Sequence, residues 1–292
     1  MGIEKRGNMG TAMLGAEAAK AMKERLKDEA QDLKKKGVSP CLAIVRAGAR
    51  EDDLSYERGA KKRMEMIGIE TRSIELPADI TQELLEEEFR KVNEDAAIHG
   101  ILLLRPLPEG LDEKRLKEMI DPRKDVDCMS EVNMAKVFAG DESGYAPCTA
   151  EAVIGLLDSY GISLEGKRAV VIGRSMVVGR PLSMLLVKRN ATVTICHTKT
   201  VGLEKICREA EILIAAAGKA KMVTADMVGE GAVVVDVGIH VDKSGSLCGD
   251  VDYETVEKRA SFISPVPRGV GSVTTSVLAK HVLEAARKLN EM

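Results

Sequence analysis

Short apolar runs alternate with helix-forming stretches along most of this sequence, and this alternation strongly limits the folds available to it. The runs CLAIVRAG, GILLLRPLPEG, RAVVIG, EILIAAAG and GAVVVDVGI are nearly all apolar and are closed by glycine or proline. Such runs are typical of parallel strands that are buried on both faces. Strands that alternate with helices over short connections predict a parallel sheet. The fold class is therefore predicted to be α/β.

The strands form two series, which indicates two domains. The second series, RAVVIG, ATVTICH, EILIAAAG and GAVVVDVGI, follows the doubly wound, Rossmann-like pattern. The helix APCTAEAVIGLLDSYG separates it from the first series, which is expected to open with a long helix at 11–36. We predict an N-terminal domain at 1–148, completed by a C-terminal helix at 274–292 that packs back onto it. The Rossmann domain is predicted at 149–273.

Charge and composition argue against several functional classes. A net charge of −3 over 292 residues gives no electrostatic footprint for nucleic acid or an anionic membrane. No segment approaches the ~18 apolar residues of a membrane span, and MGIEKRGNMG lacks an apolar signal core, so a cytoplasmic location is expected. The six cysteines form no CxxC pair and the four histidines show no metal spacing. No metal site is predicted.

The stretch GRSMVVGRP, residues 173–181, follows a predicted strand and opens a predicted helix. Gly173 permits a tight turn, and Gly179 lets the helix approach the strand. The backbone N–H groups and the helix N-terminus in such a turn favour a pyrophosphate. Structural turns use the same glycines, but the strand–turn–helix context favours a dinucleotide site.

The charges around this turn bear on which dinucleotide it holds. An NAD site usually carries an acid about 20 residues further on, to accept from the ribose 2′-hydroxyl. Here the second strand ends in CHTKT, with no acid. Arg174 and Ser175, with His197 and Thr198, are expected to hold a 2′-phosphate. The sequence thus favours NADP and leaves NAD open, since Arg174 is also typical of a solvated turn.

Several segments together resemble the tetrahydrofolate dehydrogenase/cyclohydrolase family, often called FolD. They are EGKRAVVIGRSMVVGRPLSMLL, ATVTICHTKT, GAVVVDVGI, SPVPRGVGSVT and, in the first domain, a Ser-Tyr helix, a GIL…PLP strand, PRKDVD and PCT. The resemblance covers nearly the whole chain. It implies a homodimer with folate in the cleft between the domains. The implied reaction is oxidation of 5,10-methylene- to 5,10-methenyl-tetrahydrofolate, which most members then hydrolyse to 10-formyl-tetrahydrofolate.

The resemblance also implies the site residues. Tyr56 matches the tyrosine that lies against the folate rings, and Asp127 matches the acid that grips the pterin's amino and ring N–H donors. Capping of a helix or turn is the alternative role for Asp127. The loop that closes over substrate and nicotinamide corresponds to Pro265, Pro267 and Gly271. The residues expected to contact the cofactor are Gly173, Arg174, Ser175, Gly179, His197, Thr198, Gly218 and Gly238.

The chain departs from the family where proton transfer is expected. The family lysine, four residues after the tyrosine, corresponds to Ala60, and its glutamine partner corresponds to Leu104, with Arg105 next. Hydride transfer needs no protein acid or base, whereas hydrolysis of the methenyl cation needs a positioned proton-transfer group. The sequence therefore predicts a dehydrogenase whose cyclohydrolase activity is lost or strongly reduced. Further departures lie at Cys128-Met129-Ser130, where Gly-Phe-His is common in the family, and at Arg268 and Ser272, which replace a glycine and a proline.

Three other functions remain open at this point. The first is the usual bifunctional dehydrogenase/cyclohydrolase, with Lys61 or Lys62 restoring hydrolysis. The second is a different Rossmann oxidoreductase that acts on a hydroxy or amino acid, although no motif supplies its catalytic residue. The third is a folate- or nucleotide-binding protein without turnover, which the altered loops at Cys128, Met129 and Arg268 would fit.

Overall fold

The computed structural model describes residues 9–242 and 244–291, so the outermost residues of the predicted ranges 1–148 and 274–292 lie outside the described part. The strands of the described residues are β1 (Thr11–Ala12), β2 (Cys41–Ala47), β3 (Glu70–Leu76), β4 (Gly100–Leu103), β5 (Arg168–Ile172), β6 (Thr192–Cys196), β7 (Ile212–Ala215), β8 (Val233–Asp236), β9 (His240–Val241), β10 (Leu247–Cys248) and β11 (Phe262–Ile263). The α-helices are α1 (Gly15–Lys35), α2 (Glu51–Ile67), α3 (Gln82–Glu94), α4 (Glu113–Met119), α5 (Glu131–Ala139), α6 (Cys148–Ser159), α7 (Gly179–Lys188), α8 (Leu203–Arg208), α9 (Tyr253–Val256) and α10 (Gly271–Leu289).

The described chain divides into two compact units, each with its own parallel sheet. The three-stranded unit comprises Lys20–Cys148 and the described residues from Thr275 onward. The six-stranded unit comprises the described residues up to Ala19 together with Thr149–Thr274. The predicted α/β fold with a parallel sheet in each of two domains is thus confirmed.

The N-terminal segment departs from the sequence prediction. Thr11 and Ala12 form β1, which pairs in parallel with Phe262 and Ile263 of β11. The helix predicted at 11–36 therefore begins only at Gly15, and the segment before Ala19 groups with the six-stranded unit rather than with the predicted domain 1–148. A two-residue strand depends wholly on a partner far along the chain. Local composition therefore gives no sign of it.

The three-stranded unit is built on a sheet in the order β3-β2-β4. Every residue of β2 is buried, as expected for a central strand covered on both faces. Phe89 and Leu85 of α3 pack in the core of this unit with Leu116 of α4. From Thr275 onward α10 belongs to this unit, and its Arg287 Nη2 lies 3.3 Å from Glu29 Oε2 of α1. The predicted return of the C-terminal helix to the first domain is confirmed.

The six-stranded unit has the strand order β1-β11-β8-β7-β5-β6, and all neighbouring strands in this sheet are parallel. Ile172 at the end of β5 is level with Cys196 of β6 and with Ala215 of β7. Ala215 is in turn level with Asp236 of β8. Since the strands are parallel, the loops after β5, β6, β7 and β8 leave the sheet at one edge. This carboxyl edge is where α/β proteins bind ligands.

None of the helices in residues 9–242 and 244–291 combines the length and hydrophobicity needed to cross a bilayer. Within the same residues, no cluster of three or more His, Cys, Asp or Glu side chains could hold a metal ion.

Candidate active site

The loop after β5 brings strand and helix into close contact through two glycines. Gly173 has φ +136°, and a Cβ atom there would lie 2.1 Å from the carbonyl oxygen of Ala216. Its N–H donates to the carbonyl oxygen of Cys196 at 2.9 Å, which ties the loop to the end of β6. A Cβ atom on Gly179 would lie 2.2 Å from the carbonyl oxygen of Gly173. Only glycine fits at either position without a backbone shift.

Ser175 accepts hydrogen bonds from the N–H groups at the start of α7. Its Oγ accepts from the N–H of Val178 at 3.1 Å and of Gly179 at 3.4 Å, and its carbonyl oxygen accepts from the N–H of Arg180 at 3.0 Å. These three donors at the start of α7 therefore have hydrogen-bond partners within the loop. The side chains of Arg174 and Ser175 are exposed at this edge. The pyrophosphate site expected at this turn stays a prediction.

The residues that follow β6 form a closed turn beside this loop. The N–H of His197 donates to Thr200 Oγ1 at 2.8 Å, and His197 Nδ1 accepts from the N–H of Lys199 at 3.1 Å. His197 is half-buried and Thr198 is exposed. Since Ile172 and Cys196 are in register, Arg174, His197 and Thr198 all lie at the same edge of the sheet.

A buried carboxylate that sequence analysis missed holds the loop after β7. Asp250 is fully buried. Its Oδ2 accepts from the N–H of Ala217 at 2.6 Å and of Gly218 at 3.0 Å, and its Oδ1 accepts from the N–H of Lys219 at 2.8 Å. Gly218 is exposed with φ +69°. The predicted cofactor residue Gly218 thus lies on a rigidly held part of the carboxyl edge.

Asp236 continues this arrangement into the loop after β8. It accepts from the N–H groups of Gly238, Asp250 and Val251, each at 2.9 Å. Burial raises the pKa of Asp236 to about 6, although these N–H groups favour its charged form. A Cβ atom on Gly238 would lie 2.5 Å from Asp250 Oδ1, and Gly238 is buried. The predicted cofactor residue Gly238 thus lies directly against Asp250, where only glycine fits.

The sequence carried a partial signal for this pair. Asp236 directly follows the apolar run GAVVV, so an acid stands at the carboxyl end of a buried strand. Asp250 also has an imidazole partner, His240, whose Nε2 lies 2.7 Å from Asp250 Oδ1. The spacing to Asp250 follows from no local pattern.

The loop predicted to close over the substrate begins at the end of β11. Ser264 Oγ accepts from the N–H of Asp236 at 2.8 Å, which fixes the start of this loop to β8. Pro265 is half-buried, Pro267 is exposed, and Gly271 is exposed at the start of α10. Arg268 has φ +83°, a left-handed conformation that favours glycine. The arginine therefore occupies a backbone position shaped for the family's glycine.

Tyr56 lies on α2 in the three-stranded unit and is 38% exposed. The residue after it, Glu57, is buried. It belongs to the buried face of α2, which consists of Asp53, Glu57, Ala60, Met64 and Ile67. Ala60 is fully buried and Leu104 is 7% exposed. Both positions that would carry the family's proton-transfer pair are therefore buried and apolar.

The lysine next to Ala60 already has a structural partner. Lys61 Nζ lies 2.7 Å from Glu57 Oε1, and Glu57 also accepts from Arg46 Nε at 2.9 Å and from Ser73 Oγ. Burial alone would raise the pKa of Glu57, but the hydrogen bonds from Lys61, Ser73 and Arg46 hold it below its usual value. Lys61 thus stabilises a buried carboxylate.

Asp127 has one oxygen fixed by the backbone and one beside an arginine. Its Oδ1 accepts from the N–H of Cys148 at 3.0 Å, and its Oδ2 lies 3.8 Å from Arg105 Nη2. Because Cys148 is the first residue of α6, Asp127 has the capping role that was considered for it. Its neighbour Asp125 accepts from the N–H groups of Met129 at 2.8 Å and Ser130. The side chain of Asp127 is still 26% exposed, and its role in binding a ligand stays a prediction.

Replacing Gly173 with alanine is expected to destabilise the protein by about 1–3 kcal/mol, because the new Cβ meets a backbone oxygen and φ is unfavourable. The measurement is the free energy of unfolding in urea. The matched control is Gly155→Ala in α6, where a Cβ atom would lie 3.9 Å from Val273 in ordinary contact. There the free energy should stay level or rise by about 0.5–1 kcal/mol. Equal stabilities of the two variants would contradict this account of the loop.

Two domain models of one protein family match consecutive segments of the chain. The model for the catalytic domain of tetrahydrofolate dehydrogenase/cyclohydrolase matches residues 13–127, and the model for its NAD(P)-binding domain matches residues 147–290. The chain belongs to the tetrahydrofolate dehydrogenase/cyclohydrolase family. The resemblance drawn from the sequence is thus confirmed, and the NAD(P)-binding model falls largely on the six-stranded unit.

Curated relatives and solved structures of this family agree over almost the full chain. The bifunctional protein FolD of Alkaliphilus oremlandii is 53% identical over 279 residues, which cover 96% of this chain and 98% of the relative. The crystal structure of the bifunctional enzyme FolD from Campylobacter jejuni has a TM-score of 0.93 at 40% identity, covering 97% and 99% of the two chains. The FolD structure from Trypanosoma brucei, complexed with NADP cofactor and an inhibitor, has a TM-score of 0.92 at 37% identity with the same coverage.

Proposed function

We propose that this protein oxidises 5,10-methylene-tetrahydrofolate to 5,10-methenyl-tetrahydrofolate by hydride transfer to NADP. The observation that carries the proposal is Asp127, a partly exposed carboxylate with Oδ1 bonded to the N–H at the start of α6 and Oδ2 beside Arg105. It stands at the end of the segment that matches the family's catalytic domain. A carboxylate is an all-acceptor group, which suits the amino and ring N–H donors of a pterin.

The chemistry of hydride transfer asks the protein for position rather than for proton transfer. NADP, when bound, supplies the hydride acceptor. The positive charge that develops on the folate spreads over the two nitrogens that flank the methylene carbon, so no side chain must act as acid or base. Asp127 would orient the pterin through its donors, and Tyr56 would pack against the rings. The exposed Arg174 would pair with the 2′-phosphate of NADP.

We further propose that hydrolysis of the methenyl product is lost or strongly reduced. Hydrolysis needs a group that takes a proton from water and one that returns a proton to a ring nitrogen. Ala60 and Leu104 supply neither, and Lys61 is paired with Glu57. Arg105 does not help, since a guanidinium stays protonated at working pH. A separate cyclohydrolase would then have to consume the methenyl product.

The bifunctional alternative also has support. Relatives as much as 53% identical over nearly the full chain bear the name bifunctional protein FolD. Lys62, which is exposed on α2, is the other neighbouring amine that could supply proton transfer. In that case the protein would also make 10-formyl-tetrahydrofolate.

One assay separates these functions. Purified protein is given methylene-tetrahydrofolate with NADP or NAD, and reduced nicotinamide and the methenyl chromophore are followed together. If both rise in step and methenyl decays as in an enzyme-free control, the protein is a dehydrogenase without cyclohydrolase activity. Faster decay of methenyl would establish the bifunctional alternative. Absence of nicotinamide reduction with both cofactors would refute the dehydrogenase and favour a binding protein.

Removing the charge of Arg174 is expected to change cofactor preference. In Arg174→Gln, kcat/KM for NADP should fall by about 10- to 100-fold, the effect of one charge-assisted hydrogen bond. The value for NAD, which lacks the 2′-phosphate, should stay within about twofold by the same reasoning. The matched control is Arg168→Gln at the start of β5, where the arginine pairs with Glu211. An equal loss with both cofactors would show that Arg174 serves the fold rather than the 2′-phosphate.

Two further parts of the proposal are assembly as a homodimer, which the family resemblance implies, and residence in the cytoplasm, which the sequence patterns favour. Light scattering on the purified protein at micromolar concentration tests the first. A mass of one chain across that range would refute the dimer.

A further inference from the structure

Arg105 places a half-buried cation beside the carboxylate proposed to recognise the pterin. It follows Leu104 just after the end of β4, and 20% of its side chain is exposed. Its Nη2 lies 3.8 Å from Asp127 Oδ2, a contact between charges that is too long for a hydrogen bond. Oδ1 is held by the N–H of Cys148, and Oδ2 is the oxygen that lies beside the guanidinium.

The guanidinium is anchored on its other side. Arg105 Nη1 lies 3.1 Å from Glu113 Oε1, and Glu113 also pairs with Lys117 at 2.6 Å. The backbone is fixed as well, because the carbonyl oxygen of Arg105 accepts from Arg50 Nη2 at 3.1 Å. Arg50 is itself held by two hydrogen bonds to Asp53 on α2. The position of the cation thus depends on contacts other than the one with Asp127.

The groups around Asp127 shift its pKa in opposite directions. Burial raises the pKa of this carboxyl, and the nearby charge of Asp125 acts in the same sense. Hydrogen bonding from Cys148 and the charge of Arg105 lower it. Arg105 is the only cation among the groups of the described residues that shift this pKa. Without it, desolvation and Asp125 would be opposed only by Cys148.

We propose that Arg105 is a positioning residue for folate recognition, which holds Asp127 ionised and oriented so that Oδ2 faces the pterin donors. The inference rests on the proposed function. Its chemical reason is that a protonated carboxyl has a donor of its own and cannot accept from two donors equally well. Arginine suits this role because its planar fork reaches Glu113 and Asp127 at once, whereas an ammonium is a single point charge.

The test compares Arg105→Met with wild type by the pH dependence of kcat/KM for methylene-tetrahydrofolate. Saturating NADP and excess formaldehyde are used from about pH 5.5 to 8. Loss of the cation lets Asp127 take up a proton at higher pH, so the acid limb of the variant's profile should shift to higher pH. At the acid end kcat/KM should fall about tenfold more than at pH 8, the effect of roughly 1.4 kcal/mol. Arg105→Lys, which keeps the charge, should restore part of the limb.

Further variants and readouts distinguish positioning from a structural role. The KM for NADP should stay within about twofold in Arg105→Met, since the change concerns the folate side. Arg115→Met removes another arginine–glutamate pair, with Glu86 in the same unit, and should leave the profile unchanged. A loss in Arg105→Met that is the same at every pH, or no loss at all, would overturn the inference. If wild type itself gives no turnover, the proposed function fails, and the role of Arg105 fails with it.

Discussion

Replacing Asp127 with asparagine is expected to lower kcat/KM for methylene-tetrahydrofolate by about 10²- to 10⁴-fold. A hydrogen bond to a charged group contributes roughly 1.5–3 kcal/mol, and this carboxylate is proposed to accept from two pterin donors. Asparagine keeps the shape and one acceptor, so the bond from Cys148 to Oδ1 can persist. Its amide nitrogen, however, is a donor and would face donors. The measurement is initial rate against folate concentration at saturating NADP.

The KM for NADP and the unfolding temperature show whether the loss belongs to recognition. Both should stay close to wild type, because Asp127 makes one backbone hydrogen bond and lies outside the NAD(P)-binding match. Asp112→Asn serves as a matched control, since this exposed carboxylate caps α4 through the N–H of Lys114. Asparagine caps helices about as well as aspartate, so this variant should keep its stability and show no selective change in folate KM. A loss below about tenfold in Asp127→Asn would contradict the assigned role.

Strand positions were predictable because burial on both faces leaves a direct mark on composition. The run CLAIVRAG became β2, in which every residue is buried, and RAVVIG became β5. β1 left no such mark, because its two residues depend on β11, about 250 positions further along the chain. Short-range patterns therefore predicted the sheets but missed the edge strand that assigns the N-terminal segment to its unit.

The candidate site shows the same division between local and distant contacts. The need for glycine at position 173 follows from a tight turn after a strand, and the structure gives it φ +136°. The pairing of Lys61 with Glu57 spans one helical turn and follows from spacing as well. The contact between Arg105 and Asp127 depends on how β4 and the segment after α4 meet, so no pattern in the sequence predicts it. Asp250, which holds Ala217 across 33 positions, was missed for that reason.

Two departures from the family pattern lie at backbone positions that favour glycine. Cys128 has φ +56° and Arg268 has φ +83°, both left-handed conformations at positions where the resemblance implies glycine. A side chain at each of these positions adds backbone strain.

The double variant Ala60→Lys/Leu104→Gln is expected to clear the methenyl product about 10²- to 10⁴-fold faster than wild type, the usual effect of a positioned proton-transfer group. A side chain at position 60 lies one helical turn after Tyr56, on the same face. The amide at position 104 would orient the new amine. Since hydride transfer needs no acid or base, dehydrogenase activity should stay within a few-fold. The readout is decay of methenyl absorbance after dehydrogenation, corrected for the enzyme-free rate.

The control must separate the amine from the volume of its side chain, because Ala60 is fully buried and a long side chain strains the surrounding core. Ala60→Met/Leu104→Gln adds a side chain of similar length without an amine and should gain no hydrolysis. If the lysine variant folds and oxidises substrate but clears methenyl no faster than the methionine variant, the residues at positions 60 and 104 do not determine cyclohydrolase activity. If wild type already clears methenyl as fast as the lysine variant, proton transfer comes from another group. Lys62 would then be the first residue to replace, because Lys61 is already paired with the buried carboxylate of Glu57.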